Sequence, residues 1–268
     1  MTGEGAPGLR SVELWRVQLP LRHAHRAAHG TEDRRDLILV SAAFDDGVVG
    51  WGECSTLARP TYTSEHTAGA WAVLRDELVP ALLAGRPLDV VGHPLATAGV
   101  VTALTDAVLR RVERPLSVEL AATLGANPLT AVPQCAVVGR RNAIDDLGAH
   151  TFPEIVGWHD PKASTPLRRE MLRWSQVSQK AAFDDVFVGG MLEMGVGRAA
   201  ALAVAALPGC TLPTDLGPSL SYYDQDITEP LGLDAGGRIL VPDGPGIGRT
   251  PIPAHLEAAA VDRLLLER

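Results

Sequence analysis

Lysine is almost missing from this chain: among 24 basic residues only Lys162 and Lys180 are lysine. Arginine stays protonated at any useful pH and moves protons poorly, whereas burial tunes lysine. A mechanism built on two or three lysine bases therefore has little to draw on. Cysteine is also scarce. Cys54, Cys135 and Cys210 are widely spaced and form no CxxC pair, so each reads first as a small buried hydrophobe. A net charge of −8 supplies no basic stripe for phosphate and argues against a nucleic-acid partner. No apolar run reaches the roughly 18–20 residues of a membrane span, and the N-terminus lacks a signal-peptide core. The expectation is a cytoplasmic protein with no membrane partner.

What is present is an ordinary globular composition. The 268 residues are 46% hydrophobic and 21% charged, enough for one large core or two modest ones. Ser11 to Leu21 alternates apolar and polar like a half-buried strand. The apolar runs on either side of Asp45-Asp46-Gly47 signal a hairpin with a tight Asp-Gly turn. Ser64 to Leu83 has helical spacing with Ser64 as its N-cap, and Pro94 to Leu124 predicts one or two further helices. Strand, hairpin and then helices define an α+β domain.

From Val132 the texture changes. VPQCAVVG is a nearly continuous apolar run, as in a strand buried on both faces of a parallel sheet. Asn142–His150 reads as a helix, FPEIVGW as a strand and Leu167–Ala182 as a helix. FDDVFVGG follows as a strand, Gly197–Leu207 as an alanine-rich helix and CTLPTD as a fourth strand. Alternation of this kind means βα units. The remainder, Tyr222–Arg268, reads as turn-rich with one short apolar run at Arg238–Val241.

Several stretches resemble the enolase superfamily, closest to its o-succinylbenzoate synthase and N-succinylamino acid racemase branch. PLRHAHRAAHGT with a hairpin ending in GWGE resembles the opening of that family's capping domain. Pro60-Thr61-Tyr62-Thr63-Ser64-Glu65 resembles its second substrate-covering loop. Gly189-Gly190-Met191-Leu192-Glu193, with Gly195, Gly197 and Arg198, is close to a signature of the branch. Thr211–Asp215, Tyr222–Ile227 and the closing loop Val241–Gly248 follow in family order. The resemblance covers residues 11–139 and 183–250. It implies a capping domain over a TIM-type barrel, with the active site at the C-terminal strand ends. The implied chemistry is removal of a proton next to a carboxylate, with Mg²⁺ holding the enediolate and lysines as bases.

The middle of that barrel is short. Val137 to Gly189 spans 52 residues, room for about two βα units, so about four of the eight in a full barrel are absent. The expected fold is an α+β capping domain (1–130), a truncated α/β barrel of about four βα units (131–216) and a C-terminal segment returning to the cap (217–268). FPEIVGWHDP then stands where the resemblance places paired lysines, with Val156 and Trp158 at those positions. No series of strand-end carboxylates is evident, so no metal ligand and no cofactor is assigned.

Candidate residues carry competing readings. His23, His25 and His29 lie on the first covering loop, as acid–base groups near neutral pH, as a solvated polar stretch, or as a transition-metal site for which the sequence places no acidic partner to orient them. Asp160 closes a predicted strand as an acid or base, or forms a turn before Pro161. Glu193 and Asp215 end two matched strands, lining the pocket or holding loops through backbone hydrogen bonds. Tyr62 and Tyr222 are pocket walls or ordinary packing; Gly189 and Gly190 permit close backbone approach. The assignment is His25, Asp160 and Glu193 as catalytic groups. His23, His29, Tyr62, Trp158, Gly190, Met191, Asp215 and Tyr222 are assigned to a small-molecule substrate. The leading functional expectation is a metal-independent cyclase or isomerase of a small organic metabolite, such as a polyketide. The alternatives are the parent Mg²⁺-dependent synthase or racemase, or a non-catalytic binding protein. A shortened barrel leaves unpaired edges, so a homodimer is expected.

Overall fold

β1 (Leu9–Ala27) and β2 (Gly30–Phe44) form a long antiparallel hairpin, with Leu14 opposite Val40 and Trp15 opposite Leu39. The computed structural model describes residues 8–27, 30–135 and 186–268. β3 (Val49–Cys54) pairs with β2 on one side, and the C-terminal strand β6 (Ala260–Glu267) pairs with β1 on the other. The sheet order is β3-β2-β1-β6. The Asp-Gly turn forms as expected: Gly47 takes φ +83° and Asp46 accepts the Val48 amide at 3.1 Å.

The apolar run Leu37–Ala42 is explained by burial on both faces. Val12, Leu14, Ile38, Val40 and Ala42 pack against the cap helices. Trp15, Val17, Leu37 and Leu39 pack in the opposite direction against Met194, Val196, Ala199, Ala200 and Ala203. The sheet is thus the wall between the cap and the second half of the chain.

Beyond β3 come α1 (Thr67–Val73), a π-turn at Leu74–Leu78 and α2 (Val79–Leu83). Ser64 is not the cap of this helix; the N-cap position falls on His66. The reason lies in the neighbouring Glu65, whose carboxylate accepts the amides of Leu95 (2.7 Å) and Ala96 (3.1 Å) at the start of α3 (Pro94–Arg111). The π-turn precedes Pro80, which has no N–H for the helical ladder. α3 lies directly on β3. A Cβ at Gly50 would overlap the carbonyl oxygen of Ala103, and one at Gly52 that of Gly99. α4 (Leu116–Ala122) completes the cap helices.

The second half contains β4 (Ala131–Val132), α5 (Gly195–Ala205), β5 (Ile239–Leu240) and α6 (Pro253–Ala259). β4 begins the predicted first barrel strand, yet its ladder partner is β5, and antiparallel. Two residues on, Gln134 forms a parallel bridge with Thr214. Thr214 donates its amide to Pro133 (2.9 Å), Cys135 donates to Thr214 (2.8 Å), and Leu212 donates to Val186 (3.1 Å). The segments 131–135, 211–215 and 186–190 therefore lie side by side in that order. They are joined by isolated bonds rather than a full ladder, and Pro133 and Pro213 each lack a donor. The first and fourth predicted strands are adjacent, which is the contact that ring closure needs.

α5 starts two residues before the predicted Gly197 because acceptors from elsewhere take its first amides. The C-terminal stretch is less turn-rich than expected, since it holds α6 and β6. The predicted helices 142–150 and 167–182 and the strand FPEIVGW lie outside the described residues. Among the described residues no helix is long and apolar enough to cross a membrane.

Candidate functional site

The glycine-rich run leaves segment 186–190 and turns sharply into α5. Leu192 sits at φ +55°, a left-handed conformation that costs a non-glycine residue energy. It is held there by Tyr223, whose hydroxyl donates to the Leu192 carbonyl at 2.5 Å. Gly190 donates its amide to Asp215 Oδ1 at 2.7 Å, tying the ends of two neighbouring segments together. Met191 donates to Glu193 Oε1 at 2.7 Å. Glu193 is 8% exposed, and its Oε2 is buried with no hydrogen-bond partner among the described residues. A Cβ on Gly190 would lie 3.3 Å from that oxygen, so the glycine leaves the carboxylate its space.

Tyr222 covers this group. Its hydroxyl donates to the Asp215 carbonyl at 3.0 Å, and its ring lies 4.7 Å from the guanidinium carbon of Arg198. Burial raises the Tyr222 pKa; the Arg198 charge opposes the shift while Asp215 and Glu193 add to it. Tyr222 therefore stays a neutral donor. The main-chain amide of Arg22, in the β1 arm of the hairpin, donates to the Tyr222 carbonyl at 2.8 Å, and the Arg22 side chain bonds the Leu220 carbonyl.

Five of the sequence-assigned residues thus come together: Gly190, Met191, Glu193, Asp215 and Tyr222. His23 and His25 stand beside the Arg22 contact, exposed on β1 rather than in a loop. The sequence reading found no acidic neighbour for them, but the ladder places Glu32 opposite His25. Tyr62 is half-buried in the cap segment after β3. His29, Trp158 and Asp160 lie outside the described residues.

Glu53, the last residue of the GWGE run, has no role in the sequence reading and proves central. Gly50 and Gly52 face α3, so alternation turns Trp51 and Glu53 toward α5. The Glu53 carboxyl accepts the amides of Met194 (3.1 Å) and Gly197 (2.8 Å) and the hydroxyl of Ser55 (2.8 Å). Asp226 accepts the next amide, from Gly195, at 3.0 Å. Burial pushes the Glu53 pKa up to about 8; the Gly197 amide pulls it down, and the nearby Glu193 and Asp226 charges push it further up. The signal in the sequence was the Gly-x-Gly alternation preceding an acid.

The resemblance to the enolase superfamily implies Mg²⁺. Among the described residues no three His, Cys, Asp or Glu side chains are grouped to hold a metal ion. They do not by themselves make the oxygen cage a hard cation needs, and no step is routed through a metal below.

An α+β cap whose sheet packs on α5, with Glu193 and Asp215 at the ends of the neighbouring segments 186–190 and 211–215, fits a cap-and-barrel architecture. The model of the mandelate racemase / muconate lactonizing enzyme N-terminal domain matches residues 10–120. N-succinylamino acid racemase from Amycolatopsis sp is 30% identical over 357 aligned positions, covering 93% of this chain and 96% of that protein. o-Succinylbenzoate synthase from Geobacillus stearothermophilus is 25% identical, covering 91% and 93%. An enolase-superfamily crystal structure from Listeria innocua superposes with TM-score 0.77 at 18% identity, covering 98% of this chain and all of that one. The chain belongs to the enolase superfamily, in the branch of o-succinylbenzoate synthases and N-succinylamino acid racemases.

Proposed function

We propose that the protein is an enzyme of the parent type, removing a proton next to a carboxylate on a small organic acid such as an N-succinylamino acid. The observation that carries this reading is the similarity to a racemase along 93% of the chain, strand-end group included. It displaces the metal-independent cyclase as the leading reading. Glu193 is the proposed acid–base group: one carboxylate oxygen is fixed by the Met191 amide and the other has no hydrogen-bond partner among the described residues. Asp215 and Tyr222 shape the wall beside it, and His25 on the hairpin is the second proposed proton carrier. The two lysines, Lys162 and Lys180, belong to the stretch 136–185 together with Asp145, Asp146, Glu154, Asp160, Glu170, Asp184 and Asp185.

The test is direct. Purified protein is incubated with an N-succinyl-L-amino acid in D₂O, and optical rotation and α-deuterium are followed. Incorporation of deuterium at the α-carbon supports the reading; no exchange with any N-succinylamino acid or with the cyclohexadiene substrate of the synthases rejects it.

A metal-independent isomerase or cyclase in a truncated barrel is the second reading, and one observation favours it. The alignment with the racemase runs over 357 positions while this chain has 268 residues, so at least 89 of those positions face a gap here. Chelation separates the two. Loss of turnover in EDTA with recovery in Mg²⁺ selects the first; survival selects the second.

A further inference from the structure

Arg198 is wholly buried, yet among the described residues none of its hydrogen bonds goes to a carboxylate. Its Nη1 donates to the carbonyls of Leu216 and Gly217 (2.9 Å for the latter), and its Nη2 donates to the carbonyl of Glu193 at 2.5 Å. One face of the guanidinium lies against Tyr222, whose hydroxyl in turn holds the Asp215 carbonyl. Arg198 itself sits in the first turn of α5, donating its amide to Met194 at 3.0 Å. A cation there opposes the helix dipole, and burying a charge without a counter-ion is costly. Bonds that only a planar fork with donors on both arms can make account for the placement. Gly217 fits the same arrangement. At φ +59° its carbonyl faces Arg198, and a Cβ would lie 2.8 Å from the Tyr222 hydroxyl oxygen.

We infer that Arg198 is a positioning residue: it sets the spacing and orientation of the two neighbouring carboxylate-bearing segments, with Glu193 on one side and Asp215 on the other. It clamps the carbonyl of Glu193 and the two carbonyls that follow Asp215, so neither carboxylate moves relative to the other while Arg198 is in place. The turnover arm of the test rests on the proposed proton-removal reaction; the exchange arm does not.

Arg198→Lys and Arg198→Gln are made in the full chain and compared with the parent by amide hydrogen exchange. Peptides covering 188–193 and 214–218 are expected to exchange about tenfold faster, the size of one lost buried hydrogen bond, with peptides from β2 unchanged. Should Arg198→Gln not fold, Arg198→Lys, which keeps the charge but lacks the fork, carries the test. On an N-succinylamino acid, Arg198→Lys is expected to lower kcat by at least about tenfold with KM within about twofold. Combined with Glu193→Gln it is expected to add no further loss, because it acts through that carboxylate. Unchanged exchange at both segments, or a rise spread evenly over the chain, overturns the inference; so does full additivity with Glu193→Gln. If the parent protein turns over nothing, the proposed reaction fails, and the exchange pattern alone decides the role of Arg198.

Discussion

The carboxyl of Glu53 lies 2.8 Å from the amide of Gly197, across the seam between the cap sheet and α5. A Cβ on Gly197 would come within 2.8 Å of that carboxyl carbon, so the glycine and the acid occupy each other's allowance. Three donors converge on this buried acid: the neighbouring Ser55 hydroxyl and, from the other half of the chain, two amides at the start of α5. This joint fixes the helix that follows Glu193, and through it the site.

A stability prediction follows from that burial. The folded-state pKa of Glu53 is raised to about 8 from the ordinary 4.5, so the native chain keeps a proton that the unfolded chain releases. Its contribution to stability is complete below about pH 4.5 and is lost as pH climbs to about 8. Glu53→Gln removes this dependence. Its stability relative to the parent is expected to improve across that window, with a differential slope of at most about 1.4 kcal/mol per pH unit. Urea midpoints at pH 5.5, 7 and 8.5 measure it; parallel curves for the two proteins would refute the burial account.

How legible was this in the sequence? The glycine-rich run and TLPTD marked Glu193, Gly190 and Asp215, because a strand-end acid beside paired glycines is a local pattern. For Glu53 the GWGE run carried only the alternation; which way the acid turns depends on α3 packing against Gly50 and Gly52 from some 50 residues away. β6 was missed for a similar reason. AVDRLLLE lacks clean alternation and becomes a strand by pairing with β1, where Arg263 reaches Glu13 across 250 residues of chain. Ser64 looked like a helix cap because the sequence does not show that Glu65 is engaged with α3.

The strand-end group makes a second prediction, on activity. Glu193→Gln keeps the shape and the Met191 contact but can neither take up a proton from substrate nor give one back. Turnover is expected to fall by about 10²–10⁴-fold, with the circular dichroism spectrum unchanged. Asp215→Asn should be milder, since its Oδ1 holds the Gly190 amide and an amide oxygen accepts the same bond. Equal and large losses from both would point to a shared structural role instead.

Close packing of α3 on β3 gives a third. Gly52→Ala places a methyl group where the Gly99 carbonyl oxygen now lies, so helix and strand must separate. The expected cost is about 1–3 kcal/mol, the usual range for overpacking. It is read as a lower urea midpoint at unchanged slope. Leu39→Ala, on the face toward α5, is expected to cost about 2–5 kcal/mol. A Gly52→Ala protein as stable as the parent would remove the packing explanation for the GWG spacing.

The fourth concerns assembly. Adjacency of Gln134 and Thr214 supplies a contact between the first and last predicted strands within one chain, so a partner is not needed for that junction. The cap sheet is different. Its order ends on β6, whose outer side has no strand partner among the described residues, and Val261 and Leu265 are more than half exposed there. Unpaired edges with apolar side chains favour pairing with another chain. We therefore expect a solution mass of about twice 28.3 kDa at micromolar concentration, measured by light or X-ray scattering. Leu265→Lys is the probe, because it keeps the backbone donors while adding a charge to the edge. It is expected to shift the mass toward the monomer with the fold retained. A parent protein that is already monomeric at these concentrations would show that the β6 edge is tolerated in water.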